Sequence, residues 1–155
     1  MKIFEPMTEA EGRARIVVEA KSWIGTPYVD GAMVKGAGCD CGRGLMGIYV
    51  NAGAIDEFDP GYYAPQHHMH SNEEVYLRYV LQHAHEIKGP PLPGDVVMFK
   101  LGRVFSHGAV VIGWPRIVHT MRLEGTVIEN VERCVIGPRA LSKLPRKYFS
   151  LWGEK

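Results

Sequence analysis

The order of local patterns along the chain limits the possible fold more than any single residue does. Up to about residue 88, apolar side chains recur at helical spacing, whereas short β-rich segments separated by turn residues follow Asp95. The proline-rich run at residues 89–94 ends the helical part. Helices followed by strands are typical of an α+β fold. We therefore expect N-terminal helices packed on one face of an antiparallel sheet of about five strands.

The periodicity gives expected bounds for these elements. It predicts helices over residues 8–25, 41–53 and 71–88, the first and third opening on the capping boxes Thr8 with Glu11 and Ser71 with Glu74. It predicts strands over residues 96–101, 106–113, 116–121, 126–131 and 147–152. The stretch 143–155 has two interpretations, since it could close the sheet or dock elsewhere.

Composition bounds the class of protein. The 155 residues suit one globular domain spanning 1–155, with 46% hydrophobic and 23% charged residues as in ordinary soluble proteins. A net charge of +1 gives no general electrostatic case for nucleic acid as a partner. No apolar run is long enough for a membrane span, and residues 1–6 are too short and too acidic for a signal peptide.

The three cysteines point to thiol chemistry at one position. Cys39, Cys41 and Cys134 are too few for a disulfide framework and leave at least one free thiol. Cys41 opens the second predicted helix, where free backbone N–H groups favour a thiolate and lower its pKa. The other two are expected to be small buried apolar residues. Cys41 is therefore the candidate nucleophile.

Two histidines in the strand region could serve that nucleophile. His107 begins an apolar strand pattern, and His119 lies on the next strand, after a turn around Trp114. If Trp114 centres an odd-numbered loop, His119 falls opposite Ala109 and on the same face as His107. His107 would then be the general base and His119 the residue that orients it.

The ordered set of motifs resembles the NlpC family of papain-like cell-wall peptidases. The motifs are Trp23-Ile24-Gly25-Thr26-Pro27-Tyr28, Gly38-Cys39-Asp40-Cys41, Pro93-Gly94-Asp95-Val96-Val97-Met98-Phe99, His107-Gly108-Ala109-Val110 and Val118-His119. They span roughly residues 10 to 122. The resemblance implies a papain-like core and hydrolysis of peptidoglycan stem peptides, commonly between D-glutamate and diaminopimelate.

The same resemblance implies roles for individual residues. It assigns Cys41 as nucleophile, His107 as base and His119 as the third polar residue. Tyr28 and Asp40 match positions that line the substrate site, where Asp40 would receive the peptide's free amine. No cofactor is implied.

The chain departs from the family pattern directly after Cys41. Where many members have Asp-Cys-Ser-Gly-Leu, this chain has Asp40-Cys41-Gly42-Arg43-Gly44-Leu45. Two glycines cost helix propensity, so we expect something to approach this turn closely. Arg43 is a candidate contact for a substrate carboxylate. This variant pattern in a short chain resembles peptidases of tailed bacteriophages. The resemblance implies a virion-associated enzyme that has tail or hub proteins as further partners. Such an enzyme would be made in the cytoplasm without a signal peptide.

Other functions fit parts of the sequence. Metal-ligand residue types occur close together in Cys39-x-Cys41, His67-His68-x-His70 and His83-x-His85. None of these has the paired spacing of a zinc site, and Cys134 stands alone, so no metal site is predicted. A structural tail or hub component could keep the fold without activity. A thioester-forming acyltransferase would use the same nucleophile.

Overall fold

A computed structural model of the chain describes residues 7–59 and 75–153. Its helices are α1 (Glu9–Ser22), α2 (Cys41–Asn51) and α3 (Val75–His83), with a short 3₁₀ helix at Leu141–Lys143. Its strands are β1 (Met33–Val34), β2 (Gly38–Cys39), β3 (His85–Ile87), β4 (Val96–Leu101), β5 (Val104–Gly113), β6 (Arg116–Met121), β7 (Gly125–Asn130), β8 (Val135–Ile136), β9 (Arg139–Ala140) and β10 (Arg146–Ser150). Within the described ranges, no helix is both long and apolar enough to cross a bilayer.

Six strands form one antiparallel sheet in the order β3-β10-β4-β5-β6-β7, with the hairpins β1-β2 and β8-β9 outside it. The expected α+β class with an antiparallel sheet is confirmed, and the sheet has one strand more than the five expected. The C-terminal stretch takes the first of its two interpretations, because β10 pairs with both β3 and β4.

The two faces of the sheet carry separate apolar layers. Val96, Met98 and Val110 pack against the helices on one face, together with Ile16 and Leu45. The residues that alternate with them along the strands face the other way, as the two-residue period of a strand requires. That second layer is closed by the segment after β7, and its buried members are Val97, Phe99, Ala109, Val111, Ile117, Val131, Cys134 and Leu141.

The first helix begins where the sequence predicts. The Thr8 side chain accepts a hydrogen bond from the Glu11 backbone N–H at 3.1 Å, which is half of the expected capping box. Ile16, Ala20 and Trp23 are fully buried, so the apolar stripe faces the sheet.

The predicted third helix is wrong at its C-terminal end. It stops at His83, and His85–Ile87 form the edge strand β3 against β10. Residues 85–87 form backbone hydrogen bonds with the edge of β10, and this long-range pairing cannot be predicted from helical periodicity. The expected capping box at Ser71 and Glu74 and the cluster His67, His68 and His70 lie outside the described residues.

Candidate active site

The start of α2 fixes the position of Cys41. Asp40 is the N-cap of the helix, and its Oδ1 accepts a hydrogen bond from the Arg43 backbone N–H at 2.7 Å. The helix then lies unusually close to the sheet, since a Cβ on Gly44 would stand 2.9 Å from Cys39 Sγ and 3.2 Å from Thr120 Oγ1. The expectation that something approaches this turn closely is thus confirmed for Gly44.

The Cys41 side chain lies against β5, at the residue before His107. Its Sγ is 3.7 Å from the Ser106 carbonyl oxygen. On the other side, the Tyr76 hydroxyl donates to the Cys41 carbonyl at 3.3 Å, which ties α3 to the start of α2. Cys41 and His107 line the same cavity.

The expected low pKa of Cys41 is wrong for the free protein. Burial of the sulfur, and next the negative charge of Asp40, raise the pKa of the Cys41 thiol to about 12. The backbone N–H groups of Cys41 and Gly42 lower the pKa as expected for a helix start, but they are outweighed. Cys41 therefore rests as a thiol, and a base must take its proton.

The two histidines form a direct pair. His107 Nε2 lies 2.8 Å from His119 Nδ1, and the imidazole rings are nearly perpendicular at 74°. The pairing of Val110 with Val118 places Ala109 opposite His119, as expected. The expected odd-numbered loop is wrong, because Gly113 pairs with Arg116 around a two-residue turn, and a register shift in β5 before Gly113 restores the parity. Because His107 Nε2 is occupied, its Nδ1 is the nitrogen left for another partner.

His119 is held neutral in this pair. It is only 3% exposed. Burial, and then the neighbouring His107, lower the pKa of His119 well below its ordinary value. A neutral His119 can accept at Nδ1 a hydrogen bond from His107 Nε2–H, and His107 Nδ1 is then the unprotonated, basic nitrogen of that ring.

A cavity of about 870 Å³ opens over these groups. Its polar end contains Tyr28, Asp40, Cys41, Arg43 and His107. Its remaining wall is largely apolar and includes Leu45, Ile55, Phe58, Tyr76 and Val80. The volume lies in the usual range for a small-molecule or peptide pocket.

The three residues expected to bind substrate all line this cavity, and Asp40 and Arg43 are paired with each other. Arg43 Nη1 lies 3.1 Å from Asp40 Oδ2, which also accepts the Gly31 backbone N–H at 2.9 Å. The Tyr28 hydroxyl donates to Asp30 Oδ1 at 2.7 Å. Burial, and then the hydrogen bond to Asp30, raise the pKa of Tyr28 well above its ordinary value. Tyr28 is therefore a neutral hydrogen-bond donor at neutral pH.

The other two cysteines are buried, as expected. Cys39 is 0% exposed and lies 3.5 Å and 3.7 Å from the hydroxyls of Thr120 and Thr126. Cys134 has a neighbour that the sequence did not predict, since its Sγ lies 4.0 Å from His119 Nε2. The contact of Tyr76 with the Cys41 carbonyl was likewise missed, because a tyrosine in a helix carries no sequence signal of such a contact.

No protein-family model and no curated protein sequence matches this chain. Solved structures do match it. The NlpC/p60 domain of the peptidoglycan hydrolase SagA superposes with a TM-score of 0.59 at 21% identity, covering 87% of this chain and 96% of that domain. NlpC1 and NlpC2 from Trichomonas vaginalis give TM-scores of 0.63 and 0.61 at 17% identity, covering 96% of this chain and about half of theirs, 47% and 49%. At these identities the likeness establishes the fold, which is that of NlpC/p60 domains.

Proposed function

We propose that this chain is a cysteine peptidase that hydrolyses peptide bonds in peptidoglycan stem peptides. One observation carries the proposal: a cysteine at a helix start and a histidine that is hydrogen-bonded to a second, buried histidine line one cavity, on the fold of NlpC/p60 domains. The SagA domain belongs to a peptidoglycan hydrolase, which supplies the substrate class.

The geometry supports a division of roles among three residues. His107 Nδ1 takes the proton of Cys41, and the thiolate attacks the scissile carbonyl to give an acyl-enzyme. His107 then protonates the leaving amine, and water completes hydrolysis with His107 again as base. His119 holds the imidazole in the required tautomer and orientation throughout. None of these steps needs a cofactor.

Charge that develops on the carbonyl oxygen has donors nearby. The backbone N–H groups at the start of α2 lie next to the sulfur, as their lowering effect on its pKa indicates. Tyr28 borders the same cavity as a neutral hydroxyl. Donors fixed before the reaction stabilise an oxyanion without reorganisation, so the backbone N–H groups suit an oxyanion hole. Tyr28 would join them only by turning its hydroxyl proton from Asp30 toward the oxyanion.

The finer specificity proposed is an endopeptidase cutting between D-glutamate and diaminopimelate. Asp40 would attract the free amine of the stem peptide and Arg43 would meet a carboxylate of the same substrate. Their mutual ion pair at 3.1 Å means that substrate must share or replace this contact. A substrate carrying both an ammonium and a carboxylate group suits such an exchange.

The proposed setting is a tailed-phage particle. The enzyme would be made in the cytoplasm, dock on tail or hub proteins, and act on the host wall or periplasm. Support for this comes from the variant motif after Cys41 alone.

Two other functions compete with this one. The apolar wall beside Cys41 favours an acyltransferase that would hold an acyl chain there. A non-enzymatic tail or hub component would use the fold only as a scaffold.

The test is mass spectrometry of purified stem peptides incubated with wild type, Cys41→Ala and Cys39→Ala. Cys39→Ala is the matched control because it removes a buried thiol two positions away. We expect cleavage by wild type and Cys39→Ala and none by Cys41→Ala, with the fragment masses identifying the bond. Products that carry an added acceptor amine would instead favour acyl transfer. No cleavage of any wall chemotype by the folded wild type would favour the structural role.

A further inference from the structure

A second cluster of reactive side chains lies behind the histidine pair. His119 from β6, Glu129 from β7 and Cys134 from the turn before β8 offer one nitrogen, one oxygen and one sulfur, all within 4.8 Å of one another. His119 and Cys134 are each 3% exposed, and Glu129 is half-buried. The reaction proposed above uses only Nδ1 of His119, so its Nε2 is available to this cluster.

The inward position of Glu129 is unusual. It pairs directly with Ile117, a fully buried member of the second apolar layer, so its side chain leaves the strand on that same face. No lysine or arginine in the described part of the chain forms an ion pair with it. A carboxylate turned toward an apolar layer without a cation is costly unless a positive charge joins it.

We propose that this cluster binds a divalent cation of the zinc class. Imidazole nitrogen, thiolate sulfur and carboxylate oxygen are the ligands that Zn²⁺ takes, and three protein ligands leave the fourth tetrahedral position to water. Ligand atoms of a tetrahedral zinc site stand about 3.5 Å apart. The separation of 4.0 Å between Cys134 Sγ and His119 Nε2 therefore needs only a small inward movement.

Occupancy of this site has a consequence for catalysis, which rests on the function proposed above. A metal on His119 Nε2 requires the ring proton to sit on Nδ1, which then donates to His107 Nε2 across the 2.8 Å contact. His107 then carries its own proton on Nδ1 and cannot accept one from Cys41. The two rings keep one proton each, and the Cys134 thiol releases its proton to solvent on binding. Zinc thus switches the base off without touching Cys41.

The first measurement is calorimetric titration of ZnCl₂ into wild type, Cys41→Ala, Cys134→Ala and Glu129→Gln. We expect one ion per chain for wild type and an unchanged affinity for Cys41→Ala. Cys134→Ala should lose at least about tenfold in affinity, since even outer-shell changes cost that much. Glu129→Gln, a change at a half-buried position, should also bind more weakly. With Co²⁺, wild type should show a thiolate charge-transfer band that Cys134→Ala lacks.

The result of this titration does not depend on activity. Equal affinity in Cys134→Ala and wild type, loss of binding in Cys41→Ala, or no binding by folded wild type would each overturn the site. The switch is tested separately by dividing the peptidase rate with zinc by the rate without it for wild type, Cys134→Ala and Glu129→Gln. Zinc should inhibit wild type at concentrations about tenfold below those that inhibit Cys134→Ala. Equal inhibition would overturn the switch while leaving the metal site intact.

Discussion

The chemistry of Cys41 is governed by two neighbours of opposite charge. Asp40 is needed as the cap of α2, yet its carboxylate disfavours a thiolate one residue away. Arg43 lies against that carboxylate and reduces its effect. As a result, the resting side chain is a thiol, which is protected from oxidation and alkylation. The thiolate forms only when the proton is transferred to His107.

Asp40→Asn should increase the reactivity of Cys41 toward iodoacetamide. An asparagine Oδ1 keeps the cap, but the negative charge that helps raise the pKa of Cys41 to about 12 is removed. Each unit by which that pKa falls raises the thiolate fraction about tenfold at a pH below it. Peptide mapping by mass spectrometry gives the alkylation rate at Cys41 separately from those at Cys39 and Cys134.

Arg43→Gln is the matched control, and its effect should have the opposite sign. Removing the guanidinium leaves the Asp40 charge less neutralised, so alkylation of Cys41 should slow. For all three proteins the rate should climb about tenfold per pH unit between about pH 7 and about pH 10, because a pKa near 12 lies above that range. Rates that do not differ between Asp40→Asn and wild type would contradict this account of the thiol.

At this scale the sequence predicts positions better than energies. The shared face of the two histidines was predicted from an odd-numbered loop about Trp114, but it arises from a two-residue turn combined with a register shift in β5 that sequence spacing does not reveal. The thiol pKa was misjudged because burial and the Asp40 charge depend on how closely α2 approaches the sheet. The Cys134 contact to His119 was missed because it joins β6 to a turn fifteen residues away.

At the scale of elements, the contact between α2 and the sheet positions Cys41. Gly44 permits that contact, whereas Gly47 permits the approach of α2 to the end of α1, where a Cβ would meet the Trp23 ring at 2.6 Å. In this chain the small residue that permits the close approach stands three positions after Cys41.

Gly44→Ala should destabilise the protein although alanine favours helices. The new Cβ would stand 2.9 Å from Cys39 Sγ, and overpacking of this kind costs about 1–3 kcal/mol. That exceeds the gain of about 1 kcal/mol from helix propensity. The start of α2 would move away from Cys39 on β2 and Thr120 on β6 and take Cys41 with it, so peptidase activity should fall as well. Urea unfolding gives the free energy, and stem-peptide cleavage gives the rate.

The double variant Cys39→Ala/Gly44→Ala tests the cause. Removing the sulfur relieves the closest contact, so the double variant should be more stable than the sum of the two single changes predicts. Additive free energies would show that Cys39 does not limit the approach of the helix.

The edge strand β3 shows the limit of prediction at this scale. Its three residues follow α3 directly, and their pattern is too short to separate a strand from a last helical turn. Only β10, sixty residues away in the chain, provides the partner that decides the outcome. The longer strands β4 and β6 needed no such help and fall at their predicted bounds.

Across the whole molecule, one buried ion pair joins the helical half to the sheet half. Arg13 on α1 donates from Nη1 to Asp95 Oδ1 at 2.8 Å and to the Pro93 carbonyl at 2.9 Å. Its guanidinium also stacks over Trp152 at 4.7 Å. Asp95 is 0% exposed, and its other oxygen accepts the Leu92 backbone N–H at 2.8 Å. The turn before β4 is thereby connected through Arg13 to α1 near the N-terminal end of the described residues and to Trp152 near their C-terminal end.

Asp95→Ala should therefore be among the most destabilising substitutions outside the active site. It leaves the Arg13 guanidinium buried without its carboxylate, and breaking a buried pair in this way costs about 3–5 kcal/mol. The matched control is Glu86→Ala, which breaks the Lys147–Glu86 pair at 3.5 Å. Those side chains are 35% and 50% exposed, so the control should cost less than about 1 kcal/mol. Urea unfolding of both variants measures the difference, and similar losses would show that Asp95 acts as an ordinary surface charge. A double variant, Arg13→Met with Asp95→Leu, should recover part of the loss because no uncompensated charge remains buried.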